Sequence, residues 1–355
     1  MNLKNMLTTA LIAMSLVTFS AAADYVMVVP QPPGNGTSVW AAIIAKGLEK
    51  HLGEKIVIRH IPGAKDIPGF NEFHNKLRTD NKTIMVSHGG NGVSYLVDKI
   101  DYDYKHYDSV GMMNLNIVLG RKDSMNPAKD KIKIAGSSGL EPDGMAIAML
   151  LCGNLPAVTD YTKCWKQRVI WVNGVSGGER RLGFQRGEFN TTRESPAAWF
   201  KFYRDLKENA LWFHHGIYDL KTGRQTEDQN FPAGYQFEDV FKKVHGQEPR
   251  GDFYEAYTLS RSFRDVLQKA LWVNKGNPNT EKLRVALRKM LQDPETLAEL
   301  EKDTGKYNWI IGSDGNRVVD HLRKNITEKK LKTLVQWHDD AYQFKSVYKP
   351  ELIIR

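Results

Sequence analysis

Short apolar runs alternate with amphipathic stretches along most of the chain, a pattern that predicts an α/β fold. In the first third, apolar runs at residues 25–29, 56–61 and 83–87 are each predicted to form a strand. Apolar positions at helical spacing predict a helix after each strand, and the first of these covers about residues 38–52. Thr37 is predicted to be its N-cap, and Gly53 to end it.

Glycine-rich turns follow these three strands, at residues 30–36, 62–66 and 88–92. In open α/β sheets, ligands bind beyond the carboxyl ends of the strands, where helix N-termini offer free N–H groups and partial positive charge. One glycine-rich turn alone is more often a plain tight turn, but three in succession favour a binding site. We therefore expect an organic anion where these loops meet.

The middle of the chain repeats the design. Apolar runs at 131–135 and 168–172 are predicted strands that end in glycine-rich loops, and residues 187–192 are predicted to form another strand. A further strand is expected at 270–273 and an amphipathic helix at 281–291. A chain of 355 residues usually forms two domains, so we expect a second α/β domain and a ligand cleft between the two.

The N-terminus has the features of a secretory signal peptide over residues 1–23. Lys4 supplies a positive charge, an apolar stretch covers residues 6–19, and three alanines at 21–23 form a small-residue cleavage site. The mature chain is predicted to start near Ala23 or Asp24 and to be soluble and periplasmic. A retained membrane anchor is the alternative, although polar residues dilute the apolar stretch.

Composition narrows the class of partner. The formal charge of +9 favours anionic partners, and the hydrophobic content of 41% is enough for ordinary cores. The export signal and the scattered positions of Lys and Arg argue against nucleic acid. A solvated basic surface is the simpler interpretation of the charge.

Cys152 and Cys164 lie close together in a chain predicted to be exported, which favours one disulfide over two reduced thiols. No metal site is predicted, because the chain lacks a CxxC motif and its ten histidines include no HxxxH or HExxH pair.

A serine hydrolase is the alternative function. Gly174-Val175-Ser176-Gly177-Gly178 fits the pattern G-x-S-x-G, with Ser176 as nucleophile. His88-Gly89-Gly90 imitates an oxyanion-hole motif, and His321 with Asp320 would complete a triad. The pattern is short in a chain with 29 glycines, and adjacent residues on a helix do not face each other well.

Further short motifs occur in order along nearly the whole predicted mature chain. They are Val-Val-Pro-Gln-Pro-Pro-Gly-Asn-Gly-Thr at 28–37, Pro-Gly-Ala at 62–64 with Gly69, the acidic-aromatic stretch at 104–111, Gly-Ser-Ser-Gly at 136–139, Val-Asn-Gly at 172–174, Gly-Glu-Phe at 187–189, Trp-Val-Asn-Lys-Gly-Asn-Pro at 272–278 and Leu-Gln-Asp-Pro at 291–294. No single motif is specific, but the ordered set resembles the substrate-binding proteins of tripartite tricarboxylate transporters.

This resemblance implies a two-domain type II periplasmic-binding fold that closes over a carboxylate-bearing solute. The implied domains are residues 24–120 with 252–355, joined by crossover strands to residues 121–251. It also implies a monomeric receptor, without cofactor or enzymatic activity, that serves integral-membrane transporter subunits.

In such proteins, backbone amides and hydroxyl groups at the strand ends hold the solute. Carried over by position, the candidate ligand-binding residues are Asn35, Gly36, Thr37, Ser38, Ala64, Lys65, Asp66, Ser87, His88, Gly89, Ser137, Ser138, Asn173, Gly174 and Glu194. Four positions depart from the family pattern. Asn35 replaces a glycine, Ser38 replaces an aspartate, and Lys65 with Asp66 replaces a glycine pair, so the class of ligand stays open.

Overall fold

The computed structural model describes residues 24–136 and 141–354. The predicted signal peptide and the candidate residues Ser137 and Ser138 lie outside the described residues. Within the described ranges, none of the helices has the length and apolar character that crossing a membrane requires.

Strands and helices alternate through most of the described chain, as the apolar pattern predicts. The strands are β1 Tyr25–Val29, β2 Ile56–His60, β3 Thr83–Ser87, β4 Tyr107–Met113, β5 Val118–Lys122, β6 Ile132–Gly136, β7 Val169–Asn173, β8 Thr191–Glu194, β9 Asn209–His214, β10 Ile217–Asp219, β11 Arg224–Thr226, β12 Ala270–Asn274 and β13 Trp309–Ile311. The helices are α1 Gly36–Leu52, α2 Ile67–Glu72, α3 Gly89–Val97, α4 Asp143–Cys152, α5 Val158–Arg168, α6 Gly177–Gln185, α7 Pro196–Phe202, α8 Phe237–His245, α9 Asp252–Val266, α10 Thr280–Met290, α11 Pro294–Thr304, α12 Ser313–Lys324 and α13 Glu328–Tyr342.

A six-stranded sheet has the order β13-β4-β12-β3-β1-β2. Strands β1, β2 and β3 are parallel, whereas β12 is antiparallel to both β3 and β4. The chain therefore leaves this sheet after β4 and returns to it with β12 and β13. The predicted domain boundaries, after residues 120 and 251, stay a prediction.

The segment between β4 and β12 contains smaller sheets. Strand β5 pairs antiparallel with β8 and β9, β6 pairs parallel with β7, and β10 and β11 form a hairpin. The predicted disulfide is confirmed, because Cys152 at the end of α4 is bonded to Cys164 in α5.

The parallel strands explain why the predicted loops meet. Strand β3 is buried along its whole length, and β1 is buried at all positions except Val26, as expected for a parallel sheet covered on both faces. Helix α1 covers one face with Trp40, Ile44 and Leu48, which are fully buried. The carboxyl ends of β1, β2 and β3 consequently open at one edge of the sheet.

Several local predictions were wrong in physically informative ways. The N-cap of α1 is Asn35 instead of Thr37, because the helix begins at Gly36. The predicted strand at 187–192 is confined to the later β8, because Gly187 has a φ of 79° and forms a turn after α6.

The predicted glycine-rich loop at 88–92 is largely helix, since α3 begins at Gly89. Its glycines allow α3 to approach α9 closely. A Cβ atom on Gly92 would lie 2.3 Å from the carbonyl oxygen of Phe263. A helix–helix contact, and not a ligand, therefore explains this glycine.

Candidate functional site

The loops after β1, β2 and β3 contact one another at the edge of the six-stranded sheet. Gln31 Nε2 donates to the carboxylate of Asp66 at 3.3 Å, and Asn91 Nδ2 donates to the Asp66 backbone oxygen at 2.8 Å. His88 Nδ1 lies 2.7 Å from the same carboxylate. Asp66, in the second loop, therefore contacts both the first and the third predicted loop.

The charged side chains of the second loop, after β2, bind to other residues of the protein. Ala64 is exposed, and Lys65 and Asp66 have positive φ angles of 57° and 60°, a left-handed conformation that costs energy for residues other than glycine. Lys65 Nζ donates to Asp98 at 2.6 Å and lies 4.5 Å from the ring centre of Phe344. Because Asp98 pairs with it, Lys65 adds no unpaired charge to the loop surface.

Polar side chains of the third loop, after β3, also form hydrogen bonds within the protein. Ser87 is fully buried, and its hydroxyl donates to the Leu267 carbonyl at 2.6 Å while accepting from Trp272 Nε1 at 3.0 Å. At the start of α3, His88 Nδ1 can accept from Gly90 N at 3.2 Å when that nitrogen is deprotonated. The Ser87 hydroxyl and the His88 side chain therefore have partners within the fold.

The first turn of α1 is different. The side chain of Asn35 does not cap it, and it contains no acidic residue. The N–H groups of Gly36, Thr37 and Ser38 therefore lack partners within the helix and carry its positive end. Thr37 and Ser38 are only 2% and 7% exposed, and Ser38 Oγ lies 3.5 Å from His60 Nε2.

A lysine that the sequence did not indicate lies against this turn. Lys269, between α9 and β12, donates from Nζ to the Gly36 carbonyl at 2.9 Å and to Thr37 Oγ1 at 3.2 Å. Burial lowers the pKa of its ammonium group to about 7, against the opposing effect of the Asp303 carboxylate. Its Nζ also lies 5.6 Å from the ring centre of Trp40.

A buried cluster of charges joins β8, α4 and α9. Arg193 on β8 donates to Asp143 at the start of α4. His215 lies between two carboxylates, with Nε2 3.1 Å from Asp143 and Nδ1 2.9 Å from Asp265 on α9. Arg264 on α9 completes the cluster, 3.2 Å from Asp265.

The cluster changes the acidity of its members in opposite directions. Burial alone would raise the pKa of Asp143, but Arg193 and His215 outweigh it and hold the pKa well below its usual range. Burial alone would lower the pKa of His215, but Asp265 and Asp143 prevail and raise it. The members of this buried cluster are therefore paired and ionised.

The candidates of the middle segment have different environments. Glu194 is buried and accepts from Arg181 Nε at 3.1 Å, with Arg180 Nη2 at 3.7 Å. Asn173 and Gly174 are exposed at the end of β7. The structure therefore brings Glu194 into a buried ion-pair group and leaves the other two at the surface.

Asn173 also lines a cavity of about 360 Å³, together with Trp171 and Tyr342. The Nε1 atom of Trp171 is buried without a hydrogen-bond partner among the described residues. This cavity lies beside α13 and β7, and the sequence motifs did not indicate its aromatic lining.

The residues of the serine-hydrolase alternative have other roles. Ser176 Oγ accepts from the N–H of Glu179 at 3.4 Å, and Glu179 accepts from Ser176 N at 2.9 Å, which forms a capping box for α6. His321 on α12 packs near Tyr218, with ring centres 6.4 Å apart. The hydrolase alternative is not supported. Among the described residues, no group of three His, Cys, Asp or Glu side chains is placed to hold a metal ion.

The sequence patterns missed the buried cations because they lie outside the loop motifs. Arg264 and Asp265 lie between the apolar residues Phe263 and Val266, and Lys269 precedes an apolar strand. Charged residues in such apolar surroundings were a usable signal, since buried charges need partners.

Comparisons with known proteins identify the fold. No family model and no curated protein matches the chain. Among solved structures, an R. palustris protein determined with adipate has a TM-score of 0.57 and 14% identity, and the match covers 90% of this chain and 97% of that one. Periplasmic binding protein BugD has a TM-score of 0.54 and 12% identity, with coverage of 90% and 97%. MatC from Rhodopseudomonas palustris, with bound malate, has a TM-score of 0.52 and 13% identity, with coverage of 90% and 98%.

These matches span almost the whole of each compared protein. The predicted fold class, a two-domain α/β periplasmic-binding fold, is confirmed. At identities this low the likeness establishes the fold, and what the chain binds has to be argued from its own residues.

Proposed function

We propose that this chain is an exported solute-binding protein that captures a small carboxylate between its two domains for a tripartite tricarboxylate-type transporter. The observation that carries the proposal is the first turn of α1. Its N–H groups lack helical partners, no acidic residue occupies it, and a lysine ammonium lies beside it. A carboxylate is the ligand that such a turn favours.

The compared structures support the same solute class. Two of these proteins were determined with malate and with adipate. The ordered motifs of the sequence support the transporter type. In this proposal the chain acts in the periplasm as a monomer, delivers its solute to integral-membrane subunits and catalyses no reaction.

A thermal-shift screen tests the proposal. The protein without residues 1–23 is heated with acetate, malate, adipate or citrate, and in parallel with the neutral amides of the same acids. A ligand at 100 times its Kd stabilises the folded state by about 2.7 kcal/mol, so the Tm rises by several degrees. Stabilisation by an acid but not by its amide is expected, and no response to any acid would contradict the proposal.

Variants of the first turn locate the site. Ser38→Ala removes a hydroxyl beside the free N–H groups and is expected to weaken binding by about 1–3 kcal/mol if that hydroxyl donates to the carboxylate. Ser124→Ala, at an exposed position in the middle segment, is the matched control and should leave the affinity unchanged. Isothermal titration with the acid that gives the largest shift measures both variants.

A further inference from the structure

Lys269 carries a charge that the fold does not pair directly. The residue is only 6% exposed, and its Nζ has a carbonyl and a hydroxyl as partners. A protonated lysine has three N–H donors, so one donor has no acceptor among the described residues. Burying a cation without an anion costs free energy, so this arrangement needs an explanation.

The neighbouring buried cations are different, because each has a carboxylate. Arg193 pairs with Asp143, and Arg264 with Asp265. For Lys269, the carboxylate of Asp303 on α11 acts only at longer range, since it forms no ion pair with Nζ within 4 Å. Lys269 therefore differs from these two arginines, because no carboxylate among the described residues lies within 4 Å of its charged group.

The position of Lys269 indicates where that anion would lie. Its Nζ contacts the first turn of α1, at Gly36 and Thr37, where unpaired N–H groups already favour negative charge. A carboxylate placed there could accept from the backbone and from the third N–H of the ammonium group. Charge-assisted hydrogen bonds of this kind are stronger than neutral ones.

We propose that Lys269 binds a carboxylate group of the solute at the first turn of α1, and so makes a negative charge at this end of the ligand a requirement for tight binding. This inference rests on the proposed function and deepens it by naming the side chain that selects anions.

A distinctive consequence is proton uptake. Because burial lowers the pKa of Lys269 to about 7, part of the population is neutral near neutral pH. The charged groups that influence it are Asp303 on α11, which raises the pKa, and Arg264 on α9, which lowers it, while the first turn of α1 contributes no acid. An added carboxylate raises the pKa, so binding at pH 7.5 takes up a fraction of a proton, and the affinity falls as pH rises through the pKa of the complex.

Isothermal titration measures both effects. Malate, adipate and citrate are titrated at pH 7.5 in phosphate and in Tris, whose different ionisation enthalpies reveal the number of protons taken up. For the acid that binds most tightly, Lys269→Met should weaken binding about 10- to 100-fold and abolish the proton uptake. Lys269→Arg keeps a permanent charge, so it should bind more tightly than Lys269→Met and also take up no proton.

Lys349 provides a matched control. It is also 6% exposed, its Nζ donates to the Tyr95 carbonyl at 2.9 Å, and burial lowers its pKa to about 8. Lys349→Met makes the same chemical change beside α3, away from the first turn of α1. It should leave both the affinity and the proton uptake at the wild-type values.

The outcomes separate this inference from the proposed function. If the wild-type protein binds none of the three acids, the proposed function fails, and this inference fails with it. If the wild-type protein binds an acid but Lys269→Met keeps its affinity within twofold, or keeps the proton uptake, Lys269 does not contact the solute. Should Lys269→Met not fold, as judged by circular dichroism, the loss of proton uptake in Lys269→Arg decides the question.

Discussion

Replacing His215 with glutamine removes the cation that lies between the carboxylates of Asp143 on α4 and Asp265 on α9. The two ring nitrogens are 3.1 Å and 2.9 Å from these carboxylates, and the side chain is fully buried. The change keeps a similar side-chain size but takes away the positive charge. It therefore tests whether this contact holds α9 to the middle segment of the chain.

The expected loss of stability follows from the surroundings. Breaking a buried ion pair by removing one partner costs about 3–5 kcal/mol, because the remaining charge is left uncompensated. Here Asp143 keeps Arg193 and Asp265 keeps Arg264, so neither carboxylate becomes isolated. We therefore expect the lower end of the range, about 3 kcal/mol near pH 6.

The pH dependence has a definite sign. The two carboxylates raise the folded-state pKa of His215 above its unfolded value of about 6.5. The stabilisation is therefore complete below about pH 6.5 and is lost as the pH rises through the folded-state pKa. The difference between the wild type and His215→Gln should shrink in that direction.

Urea unfolding at a series of pH values from 5.5 to 9, followed by circular dichroism, measures the free energy of unfolding of both proteins. His321→Gln, at an exposed position on α12, is the control and should change the stability by less than about 0.5 kcal/mol. A loss below about 1 kcal/mol for His215→Gln, or a loss that does not vary with pH, would refute the reasoning.

Two further predictions concern the stability of the fold. Replacing both Cys152 and Cys164 with serine opens a loop of 12 residues, so the free energy of unfolding should fall by about 3 kcal/mol. Urea titrations measure this change. An unchanged value would mean that the disulfide adds no stability. Gly92→Ala places a methyl group 2.3 Å from the Phe263 carbonyl oxygen and should lower the Tm. In the control Gly178→Ala, on α6, the added methyl group meets no atom within 4 Å, so the Tm should not change. Equal Tm values for the two variants would contradict the close contact of α3 and α9.

Local structure was predictable where a short stretch of sequence determines it. The apolar run of β1 was predicted with its observed bounds, because a buried parallel strand needs continuous apolar residues. Gly53 ends α1 with a φ of 70°, as expected for a helix followed by a left-handed glycine. Such features depend on neighbours within a few positions.

The candidate site was predictable only in part, because its contacts join distant parts of the chain. The three predicted loops meet, and the candidate residue Lys65 pairs with Asp98, which the sequence did not indicate. The sequence also did not show that Arg264 on α9 would join a buried charge cluster, or that Lys269, which follows α9, would contact the first turn of α1. Those positions depend on how α9 packs between α3 and α4, and apolar periodicity does not determine such packing.

Glycine-rich stretches were the most ambiguous indication of a binding site in the sequence. The glycines at 88–92 fitted a ligand-binding loop, but close packing of two helices requires the same small residue. Glycine at a strand end therefore indicates a close approach of the backbone without naming the partner. The packing of α9 against α3 identified that partner.

The most direct test of the account is a crystal structure of the protein, without residues 1–23, with the tightest-binding acid of the screen. We expect a carboxylate at the first turn of α1, with its oxygens about 2.7–3.2 Å from the backbone nitrogens of Gly36, Thr37 or Ser38 and in contact with Lys269 Nζ. A solute bound elsewhere, such as in the aromatic cavity beside Asn173, would contradict it.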